Sequence, residues 1–135
     1  MSVVEQNKAL IRAHFDAIWS GNDAALREQL AEDFVDHTAP PGMPKGPGAV
    51  IEWASGMRAV FPDMKVVIEQ IVAEGDRVAV YGSWAATHSG PFQGIPATHK
   101  AIRFTGMVFW RAANGKIAER WGLLDMPSVM RQLQA

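Results

Sequence analysis

"KVVIEQIVAEGDRVAVYGSWAATHSG", residues 65–90, decides the fold. Apolar and polar residues alternate on both sides of "EGDR" (74–77), which is the period of a pleated strand broken by a tight hairpin turn. "KAIRFTGMVFWRAANGKIAERWGLLDM" (100–126) repeats the device, with "ANGK" (113–116) as its turn. The spacing predicts about four long strands joined as hairpins. Upstream the period changes. Ser2 and Glu5 have capping-box spacing, and Leu10, Ile11, Phe15, Ile18 and Trp19 follow at helical intervals up to Ser20-Gly21. Asn22 or Asp23 can cap a second helix whose stripe is Leu26, Leu30 and Phe34. "FVDHTAPPGMPKG" (34–46) then reads as a strand end running into a stiff loop. Pro47 suits the first turn of a third helix with Val50, Trp53, Ala54 and Met57 on its buried face, stopped by "FPD" (61–63). A short helix starts at Pro127. Helices grouped ahead of a hairpin-connected sheet imply an α+β fold with an antiparallel sheet, in one domain over residues 1–135.

Composition narrows the function classes. Thirteen basic and 14 acidic residues leave a formal charge of −1, without the basic run that nucleic acid would need. No cysteine is present, which removes disulfides and thiolate metal sites. No signal-like or long apolar segment occurs, so a cytoplasmic protein with no membrane or nucleic-acid partner is expected. Five tryptophans and seven methionines point to a large apolar interior or a pocket.

"DFVDH" (33–37), "FPD" (61–63), "EGDRVAVYGSWAATHSGPFQGIPAT" (74–98) and "ANGKIAERWGLLD" (113–125) come in order across nearly the whole chain. In this the sequence resembles the SnoaL-like polyketide cyclases, also called ester cyclases, of the nuclear transport factor 2-like superfamily. The resemblance implies a cone: a curved sheet wrapped around the helices, with a deep apolar pocket at its wide end. It also implies homodimers paired through their sheets, and ring closure by intramolecular aldol chemistry with an acidic residue and no cofactor. The sequence departs from that pattern at two positions. Where the cyclases carry a histidine or acid it has Val108, and where they carry the catalytic aspartate it has Gly122. Neither residue can move a proton.

Other residues must then carry any chemistry. His14 lies on the apolar stripe of the first helix, where the resemblance to ketosteroid isomerases implies a donor to a developing oxyanion. The structural alternative is a core histidine bonded to a carbonyl. His37 falls at the strand end where those isomerases present their proton-shuttling carboxylate, and an imidazole suits a general base near neutral pH. In an extended segment Val35 and His37 share one face and Asp36 takes the other; the reading adopted has His37 inward and Asp36 outward. The alternative is a solvent-facing histidine that helps the loop fold. His88 is expected to make a structural bond at its strand's exit, His99 to lie in solvent, and Asp125 to cap the last helix. The four histidines lack ligand-gathering spacing, so no metal is expected.

Ile102, Phe104, Gly106, Val108 and Trp110 share a face that the resemblance makes concave. With Ile18, Trp53 and Met57 they would line a dry pocket for a small apolar ligand, bordered by His88 and Gly122. Met107, Phe109, Trp121 and Leu123 then point outward and suit pairing with a second copy. Two readings of the pocket stay open. One is a cofactor-free enzyme in which His37 removes a proton next to a carbonyl and His14 holds the oxygen. The other is a non-catalytic ligand binder of the same fold. A third, a dimeric interaction module, would use the sheet face alone.

Overall fold

The computed structural model describes residues 1–135. Its elements run α1 (Val3–Ser20), α2 (Asp23–Gln29), β1 (Leu30–Asp36), α3 (Pro47–Val60), β2 (Lys65–Glu74), β3 (Arg77–Thr87), β4 (Ala101–Ala113), β5 (Lys116–Leu124) and α4 (Met126–Gln134). The caps are those the sequence offers. Ser2 Oγ accepts from Glu5 N–H, Asn22 Oδ1 from Ala25 N–H and Asp125 Oδ1 from Ser128 N–H, all at 3.1 Å. Each satisfies one of the donors a helix start leaves free. α1 ends on Gly21 in the left-handed region, and the β4–β5 turn places both Asn114 and Gly115 there, as a two-residue hairpin loop requires.

The five strands form one sheet in the order β1-β5-β4-β3-β2, antiparallel throughout except that β1 joins β5 in parallel. The four antiparallel strands are the two expected hairpins. The fifth strand is a correction to the sequence reading, because Leu30 and Phe34 belong to β1 and not to a helical stripe. Residues spaced by four sit on one face of a helix, but they also sit on one face of a strand. Contact with β5 settles the choice. Register shifts in β1, β2 and at the β4–β5 pair bend the sheet, giving an α+β cone with the helices in its hollow.

The concave face is the core. Ile102, Phe104, Val108 and Trp110 of β4 are buried there, while Arg103, Thr105, Met107 and Phe109 between them are exposed. The Phe15 ring stands edge-on to Trp84 at 6.1 Å and to Trp110 at 5.5 Å, and Trp84 lies flat on Phe104 at 5.3 Å. The residues expected to wall a cavity therefore pack on one another. Ile18, at 7 % exposure, is part of this core. Trp53 is a second correction: it is 42 % exposed, because α3 buries the stripe through Val50 and Ala54 instead. Met57, one turn further on, is half-buried. No helix is long and apolar enough to cross a membrane.

Candidate active site at the β1–β5 corner

Asp36 and His37 are neighbours in the chain and point to opposite sides of the sheet, with the sides reversed from the sequence reading. Phe34, 3 % exposed, fixes which side is inward, and Asp36 shares its face. In register opposite Asp36 stands Arg120 of β5. Its Nη1 donates to Asp36 Oδ2 at 2.9 Å, and both side chains are mostly buried. Asp36 Oδ1 accepts from Thr38 N–H and from Thr38 Oγ1, each at 3.0 Å, and Thr38 Oγ1 in turn accepts from Gly122 N–H at 2.8 Å. The turn after β1 is thus tied to β5 through one carboxylate.

The Arg120 guanidinium lies over Gly122. A Cβ built on that glycine would meet Nη2 at 2.7 Å and Cζ and Nη1 at 2.9 Å. Gly122 pairs with Val108, and Arg120 with Trp110, so all four lie on the concave side. His14 belongs to α1, which packs in the hollow. Buried at 4 % exposure, it donates Nδ1–H to Gln29 Oε1 at 3.1 Å, which leaves Nε2 with its lone pair. Burial pushes this imidazole down to about 4; the Gln29 bond opposes the shift, and the Arg120 charge nearby adds to it. His14 is therefore neutral at pH 7, as a donor to Gln29 and a potential acceptor.

His37 is on the convex side, which corrects its assignment as an inward base. Its ring stacks on Trp121 at 4.7 Å, and Nε2–H donates to Glu119 Oε1 at 2.9 Å. Glu119 also accepts from Arg111 Nε. The Arg111 bond first, and the His37 bond second, hold the Glu119 carboxyl below the usual carboxylate range. Arg77 sits 5.6 Å from the Trp121 ring. The cluster faces solvent beside an apolar groove of about 520 Å³ that includes Met107, Phe109 and Leu123. His14 and His37 do not meet.

His88 stands at the far end of the sheet from this corner, just beyond the Thr87–Ala101 pair, whereas Trp110 pairs with Val78. It is fully buried, its Nδ1 accepts from Thr98 N–H at 3.1 Å, and Thr98 Oγ1 lies 2.9 Å from the same nitrogen. This is the structural bond at the strand exit that the sequence suggested, and it lies at the other end of the sheet from Gly122. His99 is exposed. The sequence reading missed Asp36 and Arg120. Phe34 was the signal for Asp36, since a large aromatic two residues before a carboxylate marks that face as the covered one. For Arg120 the signal was Gly122 two residues on, an inward gap for a long side chain to fill.

A mixed-sheet cone with a polar corner on its hollow side defines the chain's class as an α+β fold of the nuclear transport factor 2-like type. Solved structures agree on the fold. A SnoaL-like protein from Jannaschia sp. CCS1 superposes with a TM-score of 0.88 at 24% identity, covering 100% of this chain and 96% of that one. IdmH of Streptomyces antibioticus, an inferred polyketide cyclase, gives 0.84 at 31% identity, covering 96% and 99%. A SnoaL-like polyketide cyclase from Agrobacterium tumefaciens gives 0.80 at 21%, covering 94% and 97%. Among curated proteins none matches. The family profile of the SnoaL-like polyketide cyclases matches residues 8–133, and the chain belongs to that family.

Proposed function

We propose that the chain is a cofactor-free acid/base enzyme acting on a small carbonyl compound, of the kind its family name implies, with the chemistry at the β1–β5 corner. One observation carries this reading: a neutral buried imidazole and an ion-paired guanidinium share the hollow side of the sheet. Arg120 would polarise the carbonyl oxygen and hold the enolate that forms. His14 Nε2 would take the proton from the adjacent carbon and return it later in the cycle. A buried imidazole with a low pKa is a weak base in the empty site. An enolate beside it raises that pKa, since an opposite charge favours the protonated ring. Asp36 and Thr38 position the guanidinium.

The test is deuterium uptake at the carbon next to the carbonyl, followed by NMR in D2O with a panel of 1,3-diketones, β-keto esters and aryl ketones. Exchange should accelerate with the native chain and fall roughly a hundred- to ten-thousandfold in His14→Gln, the range for one positioned proton-transfer group. Exchange unchanged in His14→Gln sinks the assignment. Binding without exchange favours the second reading, a non-catalytic carrier. That reading draws on Val108 and Gly122, which bear no titratable group, and on an Asp36 carboxylate that already accepts three bonds from Thr38 and Arg120.

The convex face is proposed to pair with a second copy. Leu123 is 80 % exposed and Met107 64 %, too much apolar surface in one place for a solvated sheet. Sedimentation at micromolar concentration should show a dimer that Leu123→Lys dissociates; a monomeric native chain ends this part.

A further inference from the structure

The two edges of the sheet are finished differently. Along β1 the chain covers its own edge: Gly46 N–H donates to Phe34 O at 2.8 Å, and a Cβ on Gly46 would stand 2.7 Å from Glu32 O. The other edge is β2, with β3 on one side and no strand on the other. No loop or helix makes a backbone hydrogen bond to Lys65–Glu74 from outside the sheet. Alternate residues of an edge strand turn N–H and C=O outward, and a free edge of that length is a template for another strand.

A cleft of about 750 Å³ follows the first half of this edge, and Val66, Val67 and Ile68 all line it. Successive side chains leave a strand on opposite faces, so a cleft that touches all three opens at the strand's edge. The facing wall is α1. Phe15 is buried there and Trp19 half-buried, while Arg12 and Asp16 stand exposed on the same flank. Arg12 and Asp16 are one helical turn apart and enter no ion pair, with each other or with any other side chain. The helix runs antiparallel to β2. Asn7 near its start donates to Gly75 O in the turn that ends β2, at 3.5 Å, and Ser20 at its end lines the cleft together with Met64.

We propose that this cleft takes an extended peptide as a sixth strand beside β2, held by backbone bonds to the strand edge and read by α1. The spacing defines the peptide. Residues two apart on a strand share a face and lie about 6.7 Å apart, and residues four apart on a helix lie about 6 Å apart. Two side chains of the peptide therefore meet Arg12 and Asp16 in turn. A strand antiparallel to β2 runs in the direction of α1. An acidic residue then comes first, a basic residue two later, and an apolar residue two beyond that, against Trp19. The partner is a protein segment of the pattern acid-x-base-x-apolar, bound by strand addition. The register shift between Ile68 and Gln70 ends the regular edge and confines the added strand to its first half. This site lies on a different flank of α1 from His14 and does not rest on the enzyme reading.

The experiment titrates the intact, isotopically labelled chain with two end-blocked peptides and follows it by NMR. One is TTETKTLT, whose Glu, Lys and Leu share a face; the other is TTKTETLT, of identical composition with the charges exchanged. The first should bind about tenfold more tightly, since exchange turns two attractions into two repulsions. Bound TTETKTLT should also slow hydrogen exchange at alternate amides of residues 65–68, which docking through side chains alone would not do. The double variant Arg12→Glu, Asp16→Arg should prefer TTKTETLT, with the melting temperature unchanged because both positions are exposed. The proposal is overturned if neither peptide binds at millimolar concentration, if the native chain binds both equally or prefers TTKTETLT, or if binding leaves those amides unprotected. It is also overturned if the same amides become protected in the free chain as its concentration rises, which would give the edge to a second copy.

Discussion

The two faces of the sheet use the same residue types for opposite ends. On the concave side a histidine, an arginine and a carboxylate are mostly buried, and His14 is kept neutral by its burial. On the convex side a histidine, an arginine and a carboxylate are joined just as directly, through His37, Arg111 and Glu119, but over an aromatic ring in solvent. Water screens the second trio, and exposed ion pairs contribute little to stability. The first trio cannot be screened in that way, so each missing partner there is costly and each free donor is available to a ligand. Composition does not separate the two clusters. Burial does, and burial follows from which side of one β-strand a side chain leaves.

The sharpest way to break the contrast is to loosen the concave side. Phe15 is the wedge between Trp84 and Trp110, and both of its contacts are edge-on to indole rings. Phe15→Ala should destabilise the fold by about 3–5 kcal/mol, the range for truncating a buried aromatic. Urea unfolding of the variant measures it. A loss under about 1 kcal/mol would mean that Phe15 is not the packed wedge between the two indoles that its contacts describe.

Acid should expose the same difference with a smaller effect. In the unfolded chain the His14 ring takes up a proton near 6.5, and in the folded chain it resists until about 4. Between these values the unfolded state binds more protons, so stability is complete above about pH 6.5 and falls as the pH drops toward about 4. The gap corresponds to about 3 kcal/mol at its fullest. Unfolding free energies of the native chain and of His14→Gln, measured from pH 7 to pH 4, should diverge across that window, with the variant the flatter of the two. Parallel curves would show that His14 is reached by water and titrates freely. The Asp63 and Glu119 carboxyls, held low by their own partners, begin to lose stabilisation as the pH falls through their ordinary values of 3.8 and 4.5, and that loss is common to the native chain and His14→Gln, so it cancels in the comparison.

Much of the fold is legible from local rules. The turns at Gly75 and Asn114-Gly115, the caps at Ser2, Asn22 and Asp125 and the stop before Pro62 each rest on a few adjacent residues. β1 is not legible in that way. Its pairing is parallel and with the last strand, a contact between Asp36 and Arg120 across most of the chain, and its Leu30–Phe34 spacing fits a helix equally well. The site shows the same division. Alternation correctly separates Val35 and His37 from Asp36. Which face is inward is set by Phe34, whose burial carries Asp36 inward with it. For Arg120 the spacing to Gly122 marks a gap on the same face, but where the flexible side chain comes to rest in that gap is decided by packing. Trp53 fails for a simpler reason: a helix stripe has two flanks, and only packing decides which one is covered.

The smallest expected effect tests the convex half of the contrast. His37 has an imidazole at the strand end, a carboxylate partner at 2.9 Å and a stacked indole, the outward marks of a catalytic dyad. Its side chain is 39% exposed and Glu119's is 26%, so the pair sits in high dielectric and Arg111 already supplies Glu119 with a counter-charge. Removing the ring leaves Glu119 bonded to Arg111 and uncovers one face of Trp121. His37→Ala should therefore cost about 1 kcal/mol or less in urea unfolding. It should also leave deuterium exchange on the ketone panel at the native rate, while His14→Gln abolishes most of it. Were the two results exchanged, the chemistry would belong to the solvent side of the sheet, and the Glu119–His37 pair beside the groove of Met107, Phe109 and Leu123 would be the active site.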